Sequence, residues 1–448
     1  MNRLHIMLNN RKRFVVSTAM AAVFVLLAGG ANALANTVWH VSKSSSNPTC
    51  SLSATTCNTI GAAVSGPDIS PGDVIVVGPG KYNESVYSST SYLSIFGAQA
   101  GNDAREDRHG QESIVDASGQ GGGPGQGAAF YINLDHVIID GFTIQCGTAG
   151  SAASGIYMNG DTIQVLNNII QNNTVGIYAL THNGTLVRGN LIRNNNKKLV
   201  GTGSGSELYG IPGPGFGFFT RSVEGGGLAI TENAFEENLA AAILLYGAND
   251  GGVEITHNTS DNDGSFVILD SCEGGVTVSH NRGRNFGAKG FLPVTGTTHA
   301  DAAIDVMYEN LQVEINDNDL EGGKASGYNG IAFSTIFGSY SPCQECQVSN
   351  NRIKRFAGNG IVAEASTLED SGVTGNQVEE NGLVGILIEA ADNYYNTLVD
   401  NQAEDNHTND CEDDTTGSLT ANTDNTWFNN HGNLSSPNGL CAPGRWHH

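Results

Sequence analysis

Residues 371–401 read SGVTGNQVEENGLVGILIEAADNYYNTLVDN and hold one complete structural repeat with the start of the next. Val373-Thr374-Gly375-Asn376-Gln377-Val378 returns as Leu398-Val399-Asp400-Asn401-Gln402-Ala403, with Gly385-Ile386-Leu387-Ile388 between them. The rule is apolar-x-x-Asn-x-apolar, a polar turn, Gly-apolar-x-apolar, and a second turn. The same Asn column runs back through Asn351, Asn318, Asn281, Asn258, Asn233, Asn190 and Asn168, and Phe142 takes the corresponding place one step earlier. Spacings from Phe142 onward are 26, 22, 43, 25, 23, 37, 33, 25 and 25. A period of this length made of short strands marks a solenoid. The strand segments alternate with period two, and no amphipathic run is long enough for a helical repeat. The commonest spacing suits three short strands and three turns per coil. The expected fold is therefore all-β: a single-stranded, right-handed parallel β-helix solenoid.

A repeated Asn has a physical reason. At a tight bend one residue must adopt a left-handed conformation, which Asn tolerates better than most residues, so the Asn is expected to take it. Stacked on every coil, the side-chain amides can also hydrogen-bond to one another and satisfy polar groups at a buried corner.

The chain has 448 residues, 59 glycines, 15% charged residues and a formal charge of −24. Low charge density excludes charge-driven disorder. A solenoid of this length need not split into domains, because each coil contacts only its neighbours. Residues 1–35 read as a signal peptide, with Arg11-Lys12-Arg13 as the basic region, an apolar run over 14–28 and Ala33-Leu34-Ala35 as the cleavage site. A membrane anchor is the alternative, and the short apolar run followed by a cleavage motif argues against it. Localisation is expected to be secreted or periplasmic, with no membrane span. Removal of Arg3, Arg11, Lys12 and Arg13 takes the charge from −24 to −28.

An N-terminal cap is expected over 36–73, with a strand at Thr37-Val38-Trp39-His40-Val41 and a short helix over 58–64. The β-helix follows over 74–405, then an acidic C-terminal tail over 406–448. An exported chain meets oxidising conditions, so the eight cysteines point to disulfides. Cys50 and Cys57 are placed to staple the N-terminal loop, and Cys411 and Cys441 to tie the tail down. Cys343-Gln344-Glu345-Cys346 reads as a loop staple rather than a redox or metal motif, since no second CxxC or His pair accompanies it. Cys146 and Cys272 have no evident partner.

PGDVIVVGPGKYNE at 71–84, LSIFGA at 93–98 and VIIDGFTI at 137–144, followed by the Asn-centred repeats, resemble the secreted pectin-lyase-like β-helix superfamily. The resemblance covers nearly the whole mature chain and implies a carbohydrate-active protein, a polysaccharide lyase or a glycosidase acting on an extracellular polysaccharide. It does not choose the activity, because that superfamily hosts several chemistries and proteins with none. Arg352-Ile353-Lys354 matches a carboxylate-holding tripeptide of the polygalacturonase-like hydrolases, but their other elements are not found in order. Leu208-Tyr209-Gly210-Ile211 resembles a mannuronan-epimerase-like start without the acid and base that should follow. Asp261-Asn262-Asp263-Gly264 resembles the opening of a calcium loop, which makes Asp261 and Asp263 candidate ligands and Ca²⁺ the candidate cofactor, although the distal Glu is missing.

Three coils carry insertions: 196–214 with Lys197, Lys198 and Tyr209; 295–309 with His299, Asp301, Asp305 and Tyr308; and 334–345. Long loops on a regular scaffold are where function usually sits. Lys197, Lys198, Tyr209, Arg221 and Arg352 are therefore the candidate substrate-binding residues. Stacking supplies the catalytic candidates, because equivalent positions on successive coils lie about 4.8 Å apart. The position before the ladder Asn places Glu232, His257, His280 and Asp317 in one outward column. The position after it places Arg282, Asp319 and Arg352 in another. Such a cluster could abstract a proton α to a uronate carboxylate, with Arg282 or a bound cation stabilising the charge. A hydrolase would need two carboxyls about 5 to 9.5 Å apart. The bland alternative is a solvated wall with alternating charges.

The acidic balance argues against nucleic acid. It also repels polyuronates unless Ca²⁺ or local Arg/Lys rows reverse the field. The three tryptophans, Trp39, Trp427 and Trp446, lie near the ends, which weakens an extended sugar platform. A monomer is expected. Two classes survive: a carbohydrate-active enzyme working in the groove of the insertions, and a non-catalytic surface or adhesion β-helix that binds glycan or matrix. The catalytic column facing the insertions would favour the first; the two lying apart would favour the second.

Overall fold

The computed structural model describes residues 37–106, 108–120, 127–181, 183–198, 215–223, 226–248, 252–287, 302–323, 328–335, 342–390 and 392–443. The signal-peptide segment and Tyr209 lie outside the described residues, as do His299, Asp301 and Trp446. Strands of two to eight residues stack in register into three long parallel sheets of 15, 12 and 13 strands. We call these sheets 1, 2 and 3; they begin at Thr56–Cys57 beside Val38–Val41, at Gly80–Tyr82 and at Val86–Ser88. Each coil visits them in turn, as Val276–Ser279, Arg282–Arg284 and Ala302–Met307 do. The result is the expected right-handed parallel β-helix. No helix among the described residues is long and apolar enough to cross a membrane.

Alternation fills the interior. Val278, Ile315 and Val348 line it from sheet 1, Ile170 and Ile192 from sheet 2, and Ile243, Val267 and Ile304 from sheet 3, all essentially fully buried. Each such side chain contributes roughly 1.5–3 kcal/mol by leaving water. Gly283 takes an inward place on sheet 2 because the Phe286 ring already fills the space, and a Cβ there would meet the ring at 2.3 Å.

The Asn column forms one continuous ladder between sheets 1 and 2. Each Asn Oδ1 accepts both the backbone N–H and the Nδ2–H of the Asn one coil earlier. Asn258 donates to Asn281 at 2.9 and 3.1 Å, and Asn281 to Asn318 at 3.1 and 3.0 Å. The left-handed residue is not the ladder Asn but the one before it. Glu232, His257, His280 and Asp317 have φ of 54°, 57°, 56° and 55°. The ladder Asn is buried, and the position that turns the corner must point outward. A second ladder runs five residues further on, through Asn173, Asn195, Asn238 and Asp263.

The coils extend beyond both expected limits. Val38–Val41 pairs in register with Val74–Val77, so the cap supplies the first rung, and the helix Ile60–Val64 packs beside it. The ladder continues past Asn401 to Asn430, and Thr426–Phe428 and Ser435–Ser436 add strands inside what was expected to be a tail. Cys50–Cys57 and Cys343–Cys346 are disulfides, the second closing a loop as expected. Cys146, Cys272, Cys411 and Cys441 are not disulfide-bonded in this structure. The tail is held here by strand pairing and by buried Leu440.

Candidate functional site

The expected column of Glu232, His257, His280 and Asp317 does stack on consecutive coils. The rings of His257 and His280 lie parallel with centroids 5.1 Å apart, and His280 Nε2 is 3.8 Å from an Asp317 carboxylate oxygen. Glu232 is held by Arg188 at 3.2 Å and Arg105 at 3.9 Å. Beyond the corner, Asp319 sits between Arg282 at 3.6 Å and Arg352 at 3.7 Å, and Arg352 also reaches Glu379. These groups are open to solvent, with His280 56% and Arg282 74% exposed. Each lies in an alternating-charge row on the sheet 1–sheet 2 side. The insertions join sheet 2 to sheet 3, or sheet 3 to sheet 1. Of the insertions themselves, residues 199–214, 288–301 and 336–341 lie outside the described residues.

Among the described residues, the expected substrate-binding residues are not together. Lys197 and Lys198 lie exposed beyond Leu191–Arg193, at the border leading to sheet 3. Arg221 is exposed on sheet 3, and Arg352 lies on sheet 2. Asp261 and Asp263 do not fit a calcium loop. Asp261 accepts from Arg284 and Asn285 at 2.7 and 3.0 Å. Asp263 is a buried rung of the second ladder, accepting from Asn238 and from Ser260 Oγ at 2.6 Å. Burial pushes its carboxyl up to about 7. Among the described residues no group of three or more His, Cys, Asp or Glu side chains is set to hold a metal.

The outward face of sheet 3 is unlike the other two, because most of its outward side chains are buried as well, Arg221 and Tyr246 being exposed. One outward row passes in register through Tyr131, Tyr157, Tyr178 and Phe219, then Leu244, Ile268, Asp305 and Ala332. Its rings stack from coil to coil: Tyr131 and Tyr157 are parallel at 4.6 Å, and Tyr157 and Tyr178 edge-on at 5.3 Å. The parallel row reads Arg221, Tyr246, Asp270, Met307 and Ser334. The aromatic column runs along the N-terminal part of sheet 3, where no tryptophan stands.

Two carboxylates stand in this largely apolar face. Asp305 is 1% exposed and accepts from Ser334 Oγ at 2.6 Å. Asp270 is 8% exposed, and desolvation pushes its carboxyl up to about 6, against the opposing hydrogen bond from Ser271 Oγ at 2.9 Å. Burial, then Asp270 and Tyr246, raise the neighbouring Tyr308 hydroxyl. Because Asp270 pairs with Met307 and Ile268 with Asp305, the two aspartates are diagonal neighbours on adjacent strands. Strand spacing and rise then put their Cα atoms roughly 8 Å apart. Just beyond them in the chain, Glu273, Glu309, Asn310, Leu311, Pro342 and Gln344 line a hollow of about 250 Å³. A carboxyl that keeps its proton toward neutrality beside a second carboxyl is the arrangement general acid–base chemistry needs.

The family described as "Right handed beta helix region" matches residues 117–285 and 222–403. Comparison with curated proteins finds no match. Among solved structures, the GH136 lacto-N-biosidase from Eubacterium ramulus is similar, at 11% identity and a TM-score of 0.50, over 83% of this chain and 68% of that one. The catalytic domain of a GH87 α-1,3-glucanase is similar at 12% identity and a TM-score of 0.49, over 81% of this chain and 68% of that one. The A-module of a mannuronan C-5 epimerase from Azotobacter vinelandii is similar at 11% identity and a TM-score of 0.47, over 81% of this chain and 90% of that one. Sequence repeats, sheet register and the matched family agree that this chain belongs to the right-handed β-helix family.

Proposed function

We propose that this protein cleaves glycosidic bonds in a glycan laid along the outward face of sheet 3. Asp270 is the proton donor and Asp305 the second carboxyl of the pair. The observation that carries the reading is the pair itself: two buried carboxyls on adjacent strands of a largely apolar face, one of them pushed up to about 6. Donation to a leaving-group oxygen requires a carboxyl protonated near the working pH. Diagonal Cα atoms roughly 8 Å apart bring two Asp side chains within the range of carboxyl separations that glycosidases use, retaining or inverting. A lyase would instead need cations around a substrate carboxylate, and Arg221 is the one cation in the described Asp270 row, two strands away. The similar structure named as a lacto-N-biosidase acts on a glycan by its name, which accords with this reading.

The test is an activity screen of the protein on neutral glycans and polyuronates, with Ca²⁺ or with chelator, following both reducing ends and unsaturated products. Reducing ends without unsaturated product are expected, unchanged by chelator. On the substrate found, Asp270→Asn and Asp305→Asn each lower kcat by about 10²–10⁴ while circular dichroism stays unchanged. The rate falls as pH rises through about 6, as Asp270 loses its proton. Unsaturated product would replace this mechanism with elimination, and full activity in both variants would move the site elsewhere.

A further inference from the structure

We propose that Cys411 and Cys441 form a third disulfide, a redox modification site that locks the last rung of the solenoid. The observations are geometric. The Cys411 N–H donates to Leu434 O at 3.2 Å, and Cys441 Sγ donates to the same oxygen at 3.7 Å. Gly432 is wedged between the two segments: a Cβ there would sit 2.8 Å from Asp410 Cβ and 2.8 Å from Cys441 Sγ. Burial, then the neighbouring Cys441 thiol, drives the Cys411 thiol far up from its ordinary value. Cys146 and Cys272 are likewise outside the two disulfides.

The exposures of the two sulfurs set the order of events. Cys441 is partly exposed and Cys411 is buried. The Cys441 thiolate attacks a low-molecular-weight disulfide of the oxidised-glutathione class, forming a mixed disulfide and releasing one thiol. Cys411 then loses its proton and attacks Cys441 Sγ, the Cys411–Cys441 bond forms, and the second glutathione thiol leaves. Two protein thiols are oxidised and one small disulfide is reduced to two thiols. The bond joins the strand Cys411–Asp413 to the chain's final segment. That segment is otherwise held by the two-residue strand Ser435–Ser436, the bridge from Ala442 to His431, and buried Leu440. Short terminal pairing of this kind frays unless it is tied down.

The test uses the full chain incubated with excess oxidised glutathione, then unfolded in N-ethylmaleimide without reductant and digested. The expected result is two maleimides per chain, on Cys146 and Cys272, and one peptide joining Cys411 to Cys441. Four maleimides, or either cysteine joined to another partner, would overturn the proposal. In Cys441→Ser, Cys411 is recovered carrying maleimide, and recovery of Cys411 in any disulfide there would also overturn it. Amide exchange at Ala442 is expected to slow at least tenfold in the oxidised chain relative to the reduced one; equal rates would remove the locking role.

Discussion

Replacing Asn281 by Ala tests the central element of the fold. Asn281 Oδ1 accepts from Asn258 N–H at 2.9 Å and Asn258 Nδ2–H at 3.1 Å, while its Nδ2 donates to Ile255 O at 2.8 Å and to Asn318 Oδ1 at 3.0 Å. Asn318 Oδ1 keeps the Asn281 backbone N–H at 3.1 Å, so it is not orphaned. The Asn258 N–H and the Ile255 carbonyl lose their Asn281 partners, while Asn258 Nδ2 keeps its bond to Ile230 O at 2.8 Å and loses one of two. Each of the first two costs about 1–3 kcal/mol when left unpaired. The lost amide vacates about the volume of one water, which can take some of these bonds. The net expectation is a loss of about 3–5 kcal/mol. Solenoids need not unfold in one step, so the first readout is amide exchange at Asn258, whose own partner is removed. At about 1.4 kcal/mol per decade, exchange there accelerates by roughly 10²–10³. Asn430→Ala removes the same set of bonds from Asn401 and Leu398 on the last Asn rung, near the open end, and is expected to cost less, about 1–2 kcal/mol. Native protection at Asn258 with a urea midpoint unchanged in Asn281→Ala would refute the view that the ladder is a buried network whose members depend on one another.

Further outcomes follow from the same geometry. His280→Gly relieves a left-handed conformation that costs an ordinary residue roughly 1–2 kcal/mol, so it leaves stability unchanged or raised by urea titration, and glycan cleavage unchanged. Glu232→Ala removes only exposed pairs with Arg188 and Arg105, and costs under about 1 kcal/mol. Asp263 keeps its proton in the folded chain up to about 7, whereas the unfolded chain releases it near 3.8. The folded state thus binds more protons between those values, and stability falls as pH rises from about 4 to about 7. Asp263→Asn flattens that slope and is expected to stabilise by about 1–3 kcal/mol at pH 8, with little change below pH 4. Parallel urea titrations of both proteins across pH would show it.

The ladder was readable because one residue type recurs at one place, and register follows from it without any knowledge of the loops. The second ladder carried an equal signal in Asn168-x₄-Asn173, Asn190-x₄-Asn195 and Asn233-x₄-Asn238, which only needed a second column to be drawn. The left-handed position was harder, since Glu, His and Asp hold it in place of Asn or Gly. Asp270 and Asp305 were hidden for a different reason. They stand 35 positions apart, and the segment between them includes an insertion, so no spacing joins them. Sheet 3 also lacks an invariant residue to fix its register, and its strands shift where Met158 meets Asn159. Yet Ala241-Ala242-Ile243-Leu244-Leu245-Tyr246, Ser265-Phe266-Val267-Ile268-Leu269-Asp270 and Ala302-Ala303-Ile304-Asp305-Val306-Met307 are nearly unbroken apolar runs. Strands written that way are covered on both faces, unlike the alternating strands of sheets 1 and 2. An acid inside such a run must give up its hydration or its charge, and both are expensive unless something uses them. On that ground Asp270 and Asp305, rather than the solvated histidine column, are the residues this sequence most needs a reason to keep.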